Sequence, residues 1–225
     1  MHNPAAQQDW LDFDFGVAAL GASFHGDWCL TADDAIDHVR AYLGTEGDPT
    51  GPVLLIEDIL LLRDSVLTGS ELNLLWRATD PPGGGSPEIR GAERAWFEQL
   101  LSEATTVARG RGASERDCTV QPECVPDGKT AAASQHRRLT VAVLELIDLL
   151  DEGLSDLHMP LAPTQEALRR CATTVCSELA FRFLLHALNQ SSPQLSLESY
   201  GRIEGLGTAF GYGPYVVDRL LYLTE

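Results

Sequence analysis

Apolar residues recur every three or four positions along most of the chain, which is the period of one face of an α-helix. One clear stripe covers residues 36–43 and stops at Gly44, and a more continuous apolar stretch covers residues 53–62. Similar stripes resume over residues 137–225. No stretch shows the sustained alternation that is typical of a half-buried strand. The pattern therefore predicts an all-α fold.

Polar residues that precede these stripes indicate where the helices begin, because their side chains can accept hydrogen bonds from the free backbone N–H groups of a first turn. We assign this N-cap position to Thr31, Ser70, Thr164 and Ser196. Further helices are expected over residues 9–22, from Thr50 or Gly51 through Leu62, over residues 88–104, and at the C-terminus through Leu223.

The composition changes between the two groups of stripes. Residues 106–136 contain Gly, Ser, Thr, Ala and charged residues, with almost no large apolar side chains. A segment of this kind cannot bury enough apolar surface to form a core of its own, and it is typical of a linker. The sequence thus predicts two small helical modules, over residues 9–105 and 137–225, joined by a polar linker.

The chain is strongly acidic, with a formal net charge of −17. Residues 1–105 hold 18 acidic and 5 basic side chains, so most of the excess lies in the first predicted module. Nucleic acids and anionic membranes are themselves polyanions, and we exclude both as direct ligands. A basic partner remains compatible with this charge, and so does an acidic surface that only keeps the protein in solution.

The N-terminus lacks the basic and apolar regions of a signal peptide, and no apolar run approaches the 18 residues of a membrane span. We therefore expect a cytoplasmic protein. In that compartment its five cysteines are expected to be reduced thiols.

The segment Phe-His-Gly-Asp-Trp at residues 24–28 is the most unusual short string in the chain. We favour a structural role, in which Phe24 and Trp28 pack into the core while His25 or Asp27 bonds the backbone of a turn. Contact with a partner is a second interpretation. A third is an enzyme in which His25 and Asp27 act with Glu57, which would require these residues to meet in the fold.

Other candidate chemistry is weaker. Glu57 and Asp58 interrupt the apolar helix and are expected on its exposed side. Cys118 and Cys124 are too far apart for an ordinary zinc half-site, and no matching Cys or His pair completes them. No glycine-rich phosphate loop or nucleophile motif is present. We predict no catalytic residues, no metal site and no cofactor.

Residues 15–104 resemble the immunity proteins of contact-dependent growth inhibition systems, the CdiI type. The likeness is carried by the aromatic-rich start, the segment at 24–28, the Thr-Ala-Asp-Asp-Ala helix start at 31–35, the Leu-rich helix at 53–64, and Trp-Phe-x-x-Leu-Leu at 96–101.

Residues 177–223 are similar to a second immunity group, the MafI type. They share an apolar helix that begins Glu-Leu-Ala at residues 178–180, then a polar turn, then Leu-Ser-x-x-x-Tyr-x-x-Ile-x-x-Leu-Gly over residues 195–207. Together the two resemblances imply a helical immunity protein that binds one cognate toxin domain and blocks its active site.

A nuclease toxin needs a basic cleft for phosphates, so an acidic surface can imitate its substrate and speed association. Our candidates for partner-binding residues are Asp33, Asp34 and Asp37, together with Asp27. The alternative function is a helical interaction or scaffold protein without a toxin partner.

Overall fold

A computed structural model describes residues 13–44, 47–81, 85–119, 131–153 and 159–224. This part of the chain holds ten α-helices and four short 3-10 helices, without a β-strand, so the predicted all-α fold is confirmed. The α-helices are α1 Gly16–Ser23, α2 Ala35–Leu43, α3 Thr50–Arg63, α4 Gly69–Ala78, α5 Glu93–Gly110, α6 Ala131–Ile147, α7 Leu161–Thr174, α8 Ser177–Ser191, α9 Leu197–Ala209 and α10 Tyr215–Asp218. The 3-10 helices are Trp28–Leu30, Glu115–Cys118, Asp148–Glu152 and Leu221–Leu223.

The predicted end of α2 at Gly44 is confirmed, but its predicted start is wrong. Asp34 is the N-cap, because its backbone is extended and its carboxylate accepts hydrogen bonds from the first turn. Thr31 lies instead after the preceding 3-10 helix, where its hydroxyl donates to the carbonyl oxygen of Trp28. The N-cap of α2 is therefore Asp34, three residues after the predicted position.

Two other helix starts also differ from the prediction. The N-cap of α4 is Thr68, which forms a capping box with Glu71, so the assignment of Ser70 was two residues too late. Helix α7 already begins at Leu161, and the hydroxyl of Thr164 donates back to the carbonyl oxygen of Pro160. In contrast, the predicted cap of α9 is confirmed, because Ser196 accepts a hydrogen bond from the backbone of the first turn.

Several predicted spans are shifted. The start of the helix predicted over residues 9–22 lies outside the described residues up to position 12, and Phe15 is extended, so α1 begins at Gly16. The helix predicted over 88–104 is α5, displaced towards the C-terminus. The predicted last helix is split into the short α10 and a 3-10 helix.

Helices enter the predicted linker from both sides. Helix α5 continues to Gly110, and α6 begins at Ala131, while residues 120–130 lie outside the described part of the chain. The central part of the predicted linker therefore stays a prediction. Within the described residues, the helical parts on either side of it are longer than the composition indicates.

Packing is most extensive between α3 and α5 in the first half of the chain and between α7 and α8 in the second. The two halves also touch each other, because α4 packs against α7 and α8, and α1 packs against α8 as well as α3. The buried apolar side chains form one cluster that contains residues of both halves. None of the described helices is both long and apolar enough to cross a membrane.

Candidate partner-binding surface

The turn at residues 24–28 is fixed to the rest of the protein by its two aromatic side chains. Phe24 is fully buried, and its ring centroid lies 4.5 Å from that of His38 and 5.3 Å from that of Trp28. The indole Nε1 of Trp28 donates a hydrogen bond to the carbonyl oxygen of Gly85 at 2.8 Å. Aromatic contacts of this kind add to the free energy gained by burial. Phe24 and Trp28 thus hold the turn in a defined position before α2.

The polar members of this turn lie on the surface. His25 and Asp27 are both exposed, and the carboxylate of Asp27 does not cap the 3-10 helix that follows it. His38 on α2 is partly buried, and its Nε2 lies 2.9 Å from the hydroxyl oxygen of Ser23. Burial, followed by the proximity of His25, lowers the pKa of His38 below its ordinary value. The turn therefore presents Asp27 and His25 to solvent beside the start of α2.

Asp34 is exposed but fixed in its orientation. Its Oδ1 accepts hydrogen bonds from the backbone N–H of Ile36 at 2.8 Å and from that of Asp37 at 2.9 Å. The positive end of the helix dipole also favours a carboxylate at this position. The negative charge of Asp34 is thus placed at a fixed point on the surface.

Asp37 belongs to a small ionic network. Arg40 Nη1 lies 2.9 Å from Asp37 Oδ1, while Nη2 and Nε of the same arginine bind the two carboxylate oxygens of Glu103 on α5 at 2.8 and 3.0 Å. The hydrogen bond from Arg40, with its positive charge, lowers the pKa of Glu103. One guanidinium therefore faces two carboxylates, and the network keeps a negative charge while it connects α2 to α5.

Asp33 completes the acidic end of α2. It is exposed, and the described residues provide no hydrogen bond or ion pair for its side chain. The four predicted partner-binding residues thus occupy one short stretch, in the order turn, cap and first helical turn. Two of them also have local structural tasks, Asp34 as a cap and Asp37 in an ion pair. We use the name acidic surface for Asp27, Asp33, Asp34 and Asp37.

The interpretation of Asp58 as an exposed residue is wrong. Its side chain is only 4% exposed, and its two oxygens lie 2.5 and 2.6 Å from the guanidinium nitrogens of Arg182, which is equally buried. Its Oδ2 also accepts a hydrogen bond from the backbone N–H of Val17, at the start of α1. Burial alone would lower the pKa of Arg182, but the adjacent carboxylate raises it well above its ordinary value. This ion pair connects the two halves of the chain.

The backbone at Gly16 allows this ion pair to form. Gly16 has φ +67°, which disfavours any residue with a side chain. A Cβ atom at this position would also lie 1.9 Å from Oδ2 of Asp58. The local sequence gives no sign of this role for Gly16, because the carboxylate that approaches it belongs to a residue 42 positions further along the chain.

A second ionic cluster also spans the two halves. Asp14 Oδ2 lies 2.7 Å from His186 Nε2 and 3.0 Å from Arg219 Nη2, and His186 itself is buried. Burial alone would raise the pKa of Asp14, but the charges and hydrogen bonds of His186 and Arg219 lower it to a net value well below normal. Arg219 Nη1 also lies 2.9 Å from His186 Nε2, so this ring nitrogen faces both Asp14 and Arg219. We use the name ionic seam for this cluster together with Asp58 and Arg182.

Exposed aromatic residues lie beside the ionic seam. Phe13 is 60% exposed and Tyr215 is 55% exposed, and their rings stack with centroids 5.1 Å apart. Tyr222 is also exposed, and its hydroxyl donates to Oδ1 of Asn189 at 3.0 Å. No local pattern in the sequence predicts this arrangement, because Phe13 and Tyr215 lie near opposite ends of the chain.

A cavity of ≈160 Å³ opens beside the C-terminal end of α2. Its walls come from the segment before α1, the end of α2, the first turns of α3 and the residue that follows α5. The lining residues are Phe15, Gly16, Tyr42, Leu43, Gly51, Pro52, Leu55 and Arg111. The sequence offered no signal for this cavity, since it depends on how four separate segments pack together.

The described residues contain no group of three or more His, Cys, Asp or Glu side chains placed to hold a metal ion. His25 and Asp27 are exposed on the turn, and Glu57 lies on α3.

No protein-family model matches the chain, and no curated protein or solved structure shows significant similarity to it.

Proposed function

We propose that the chain is an immunity protein that binds a cognate toxin domain, a basic nuclease, and neutralises it by covering its active site. The observation that carries this proposal is the acidic surface: four aspartates in one short stretch, of which Asp33 has no ionic partner among the described residues. In this function the chain performs no reaction itself.

The charge of the chain supports a basic partner of this kind. A cleft that binds phosphates is positively charged, and a protein with a net charge of −17 is drawn towards it before any contact forms. Electrostatic attraction of this kind mainly raises the association rate and falls as salt is added. The proposal therefore predicts fast and salt-sensitive binding.

The local structure supports a preorganised surface. Asp34 is oriented by two backbone hydrogen bonds, and α2 is connected to α5 through Arg40 and Glu103. Side chains that are already ordered lose less conformational entropy when a partner binds. Two of the four carboxylates of the acidic surface, those of Asp34 and Asp37, are thus held in place before a partner binds.

A helical interaction protein without a toxin partner is the second candidate. The exposed pair Phe13 and Tyr215, together with exposed Leu221 and Tyr222, favours it. Aromatic residues are enriched at protein interfaces, and these four lie away from the acidic surface in the sequence. A partner bound there would need no positive charge.

The test compares two triple variants with equal loss of charge. Asp33→Asn, Asp34→Asn and Asp37→Asn neutralise the acidic surface, and Asn keeps the capping ability of position 34. The control variant combines Glu166→Gln, Glu198→Gln and Glu204→Gln, which are exposed on α7 and α9. Each is co-expressed with a panel of basic nuclease toxin domains, and association with any toxin that the wild type neutralises is followed by stopped-flow fluorescence.

We expect the acidic-surface variant to lose about tenfold in association rate at low salt and to protect cells less well, because steering contributes factors of this order. The control variant should stay close to the wild type. Equal effects of the two variants would contradict a role for this surface. If the chain neutralised no toxin of the panel but bound another protein through its exposed aromatic residues, the second candidate function would be supported instead.

A further inference from the structure

The cavity beside Tyr42 has the size of one side chain. Its volume is ≈160 Å³, and an apolar cavity of about 150 Å³ in another protein holds one benzene molecule. Most of its wall is apolar and comes from Phe15, Leu43, Pro52 and Leu55, along with the ring of Tyr42. A phenyl-sized apolar group therefore fits this cavity in both volume and polarity.

The cavity lies within reach of the acidic surface. Tyr42 is 42% exposed and follows Asp34 by eight residues on the same helix, which corresponds to about 12 Å along the axis. Ile36, Val39 and Leu43 form the buried face of α2, so Tyr42 lies at an edge of the exposed face. An interface of ordinary size buries about 800 Å² on each partner and covers both features.

The negative charge that favours a basic partner lies on the acidic surface, since Arg111 is the one charged residue that lines the cavity. Burial, followed by the negative charge of Asp14, raises the pKa of Tyr42. Asp14 precedes the lining residue Phe15, and its carboxylate is paired with His186 and Arg219. The one arginine among the lining residues, Arg111, donates hydrogen bonds to the carbonyl oxygens of Leu43 and Asp48. Nη1 and Nη2 thus connect α2 with the segment before α3, while Arg111 Nε is buried without a hydrogen-bond partner among the described residues.

We propose that this cavity is the anchor pocket of the acidic surface and that a phenyl-sized side chain of the basic partner occupies it. The inference rests on the proposed function and names the partner chemistry: an aromatic side chain with lysines or arginines about 12 Å away. Binding energy in protein interfaces is concentrated where one large side chain fills a pocket, while surrounding charges guide the approach.

Short peptides test this geometry without knowledge of the toxin. The probe is acetyl-Phe-Gly-Gly-Lys-Lys-amide, whose extended backbone spans the required distance. Two matched peptides replace Phe by Ala, or both lysines by Gln. Each is titrated into the 15N-labelled full chain, and amide chemical-shift changes are followed at Tyr42, Leu43 and Leu55 for the cavity and at Asp33 and Asp34 for the acidic surface.

We expect the Phe peptide to shift the cavity signals and to bind about tenfold more tightly than the Ala peptide, since burial of a phenyl ring contributes that much or more. Absence of Phe-dependent shifts at the cavity would overturn the anchor pocket. If lysine-dependent shifts at Asp33 and Asp34 still appeared in that case, the proposed function would stand without it. Phe-dependent shifts at the cavity that are equal for the Lys and Gln peptides would show that the cavity binds a phenyl group without help from the acidic surface. This result would count against the proposed function.

A pair of variants tests whether the peptide needs the empty space of the cavity. Leu55→Trp adds bulk in the cavity wall, and Leu197→Trp makes the same change at an exposed position on α9. The first variant should lose the preference for Phe over Ala, and the second should keep it. The comparison among the three peptides on the wild-type protein decides the proposal if Leu55→Trp fails to fold. Concentration-dependent shifts at Tyr42 without peptide would assign the pocket to a second copy of the chain and overturn the proposal.

Discussion

The acidic surface and the ionic seam are built from the same kinds of charged residues but are placed differently. Asp33 and Asp34 lie in solvent, where a charge interacts weakly with its neighbours and remains available to a partner. Asp58 and Arg182 are buried, so the charge of each is compensated mainly by the other. The comparison shows that burial decides how strongly the charge of a carboxylate in this chain depends on one ionic partner.

The strongest test of this comparison removes one partner of the buried ion pair. Arg182→Met leaves the Asp58 carboxylate buried without its counter-charge, and we expect a loss of about 3–5 kcal/mol in the free energy of unfolding, measured by urea denaturation. The double variant Asp58→Leu and Arg182→Met should recover part of this loss, because it leaves no buried charge.

The matched control is Arg170→Met. Arg170 Nη1 lies 2.7 Å from Glu71 Oε1 and also connects the two halves of the chain, but its side chain is 38% exposed. Exposed ion pairs contribute up to about 1 kcal/mol, so this variant should be far less destabilised. Similar losses for Arg170→Met and Arg182→Met would mean that burial does not distinguish the two pairs.

Acid should remove the contribution of Asp14 to stability, and the pH range of this loss follows from its lowered pKa. The pKa of Asp14 is lowered in the folded protein, since the charges of His186 and Arg219 outweigh the effect of burial. A carboxyl group of this kind binds more protons when unfolded, so its contribution to stability is complete above its ordinary pKa of 3.8 and is lost as the pH falls below that value. Asp14→Asn should lower stability at pH 7 and flatten the decline below pH 4.

The measurement is the urea midpoint at a series of pH values from 7 to 3. Asp33→Asn is the control, because Asp33 is exposed and has no ionic partner among the described residues. It should follow the wild-type profile. An Asp14→Asn profile parallel to that of the wild type would show that Asp14 does not contribute to acid sensitivity.

Local patterns in the sequence were sufficient to predict most of the helices but not the residue pairs of the ionic seam. Ile36, Val39 and Leu43 are buried, as their helical spacing indicates, and Gly44 ends α2 as predicted. These features depend on neighbours within a few residues. The N-cap was assigned to Thr31 in place of Asp34 because both residue types can cap a helix and both precede the same apolar stripe.

The ionic seam could not be predicted from local sequence patterns. Asp58 is paired with a residue 124 positions away, and Phe13 stacks on a residue from the other end of the chain. An aspartate inside an apolar helix has two explanations, an exposed position or a buried partner, and only the tertiary structure, which brings Arg182 to Asp58, decides between them. The acidic surface was easier to propose, since Asp33, Asp34 and Asp37 are adjacent in the sequence and remain on the surface.

The smallest expected change in stability separates the two roles of Asp34, as the N-cap of α2 and as a charge on the acidic surface. Asp34→Ala removes both the charge and the N-cap, and we expect a loss of about 1 kcal/mol in the free energy of unfolding, whereas Asp34→Asn keeps the cap and should cost only a few tenths. If the acidic surface acts by charge, both variants should slow association with a basic partner to the same degree despite their different stabilities. Urea denaturation and stopped-flow association at low salt measure the two quantities on the same preparations. Slower association for Asp34→Ala alone would show that the ordered helix start, and not the negative charge, is what a partner requires.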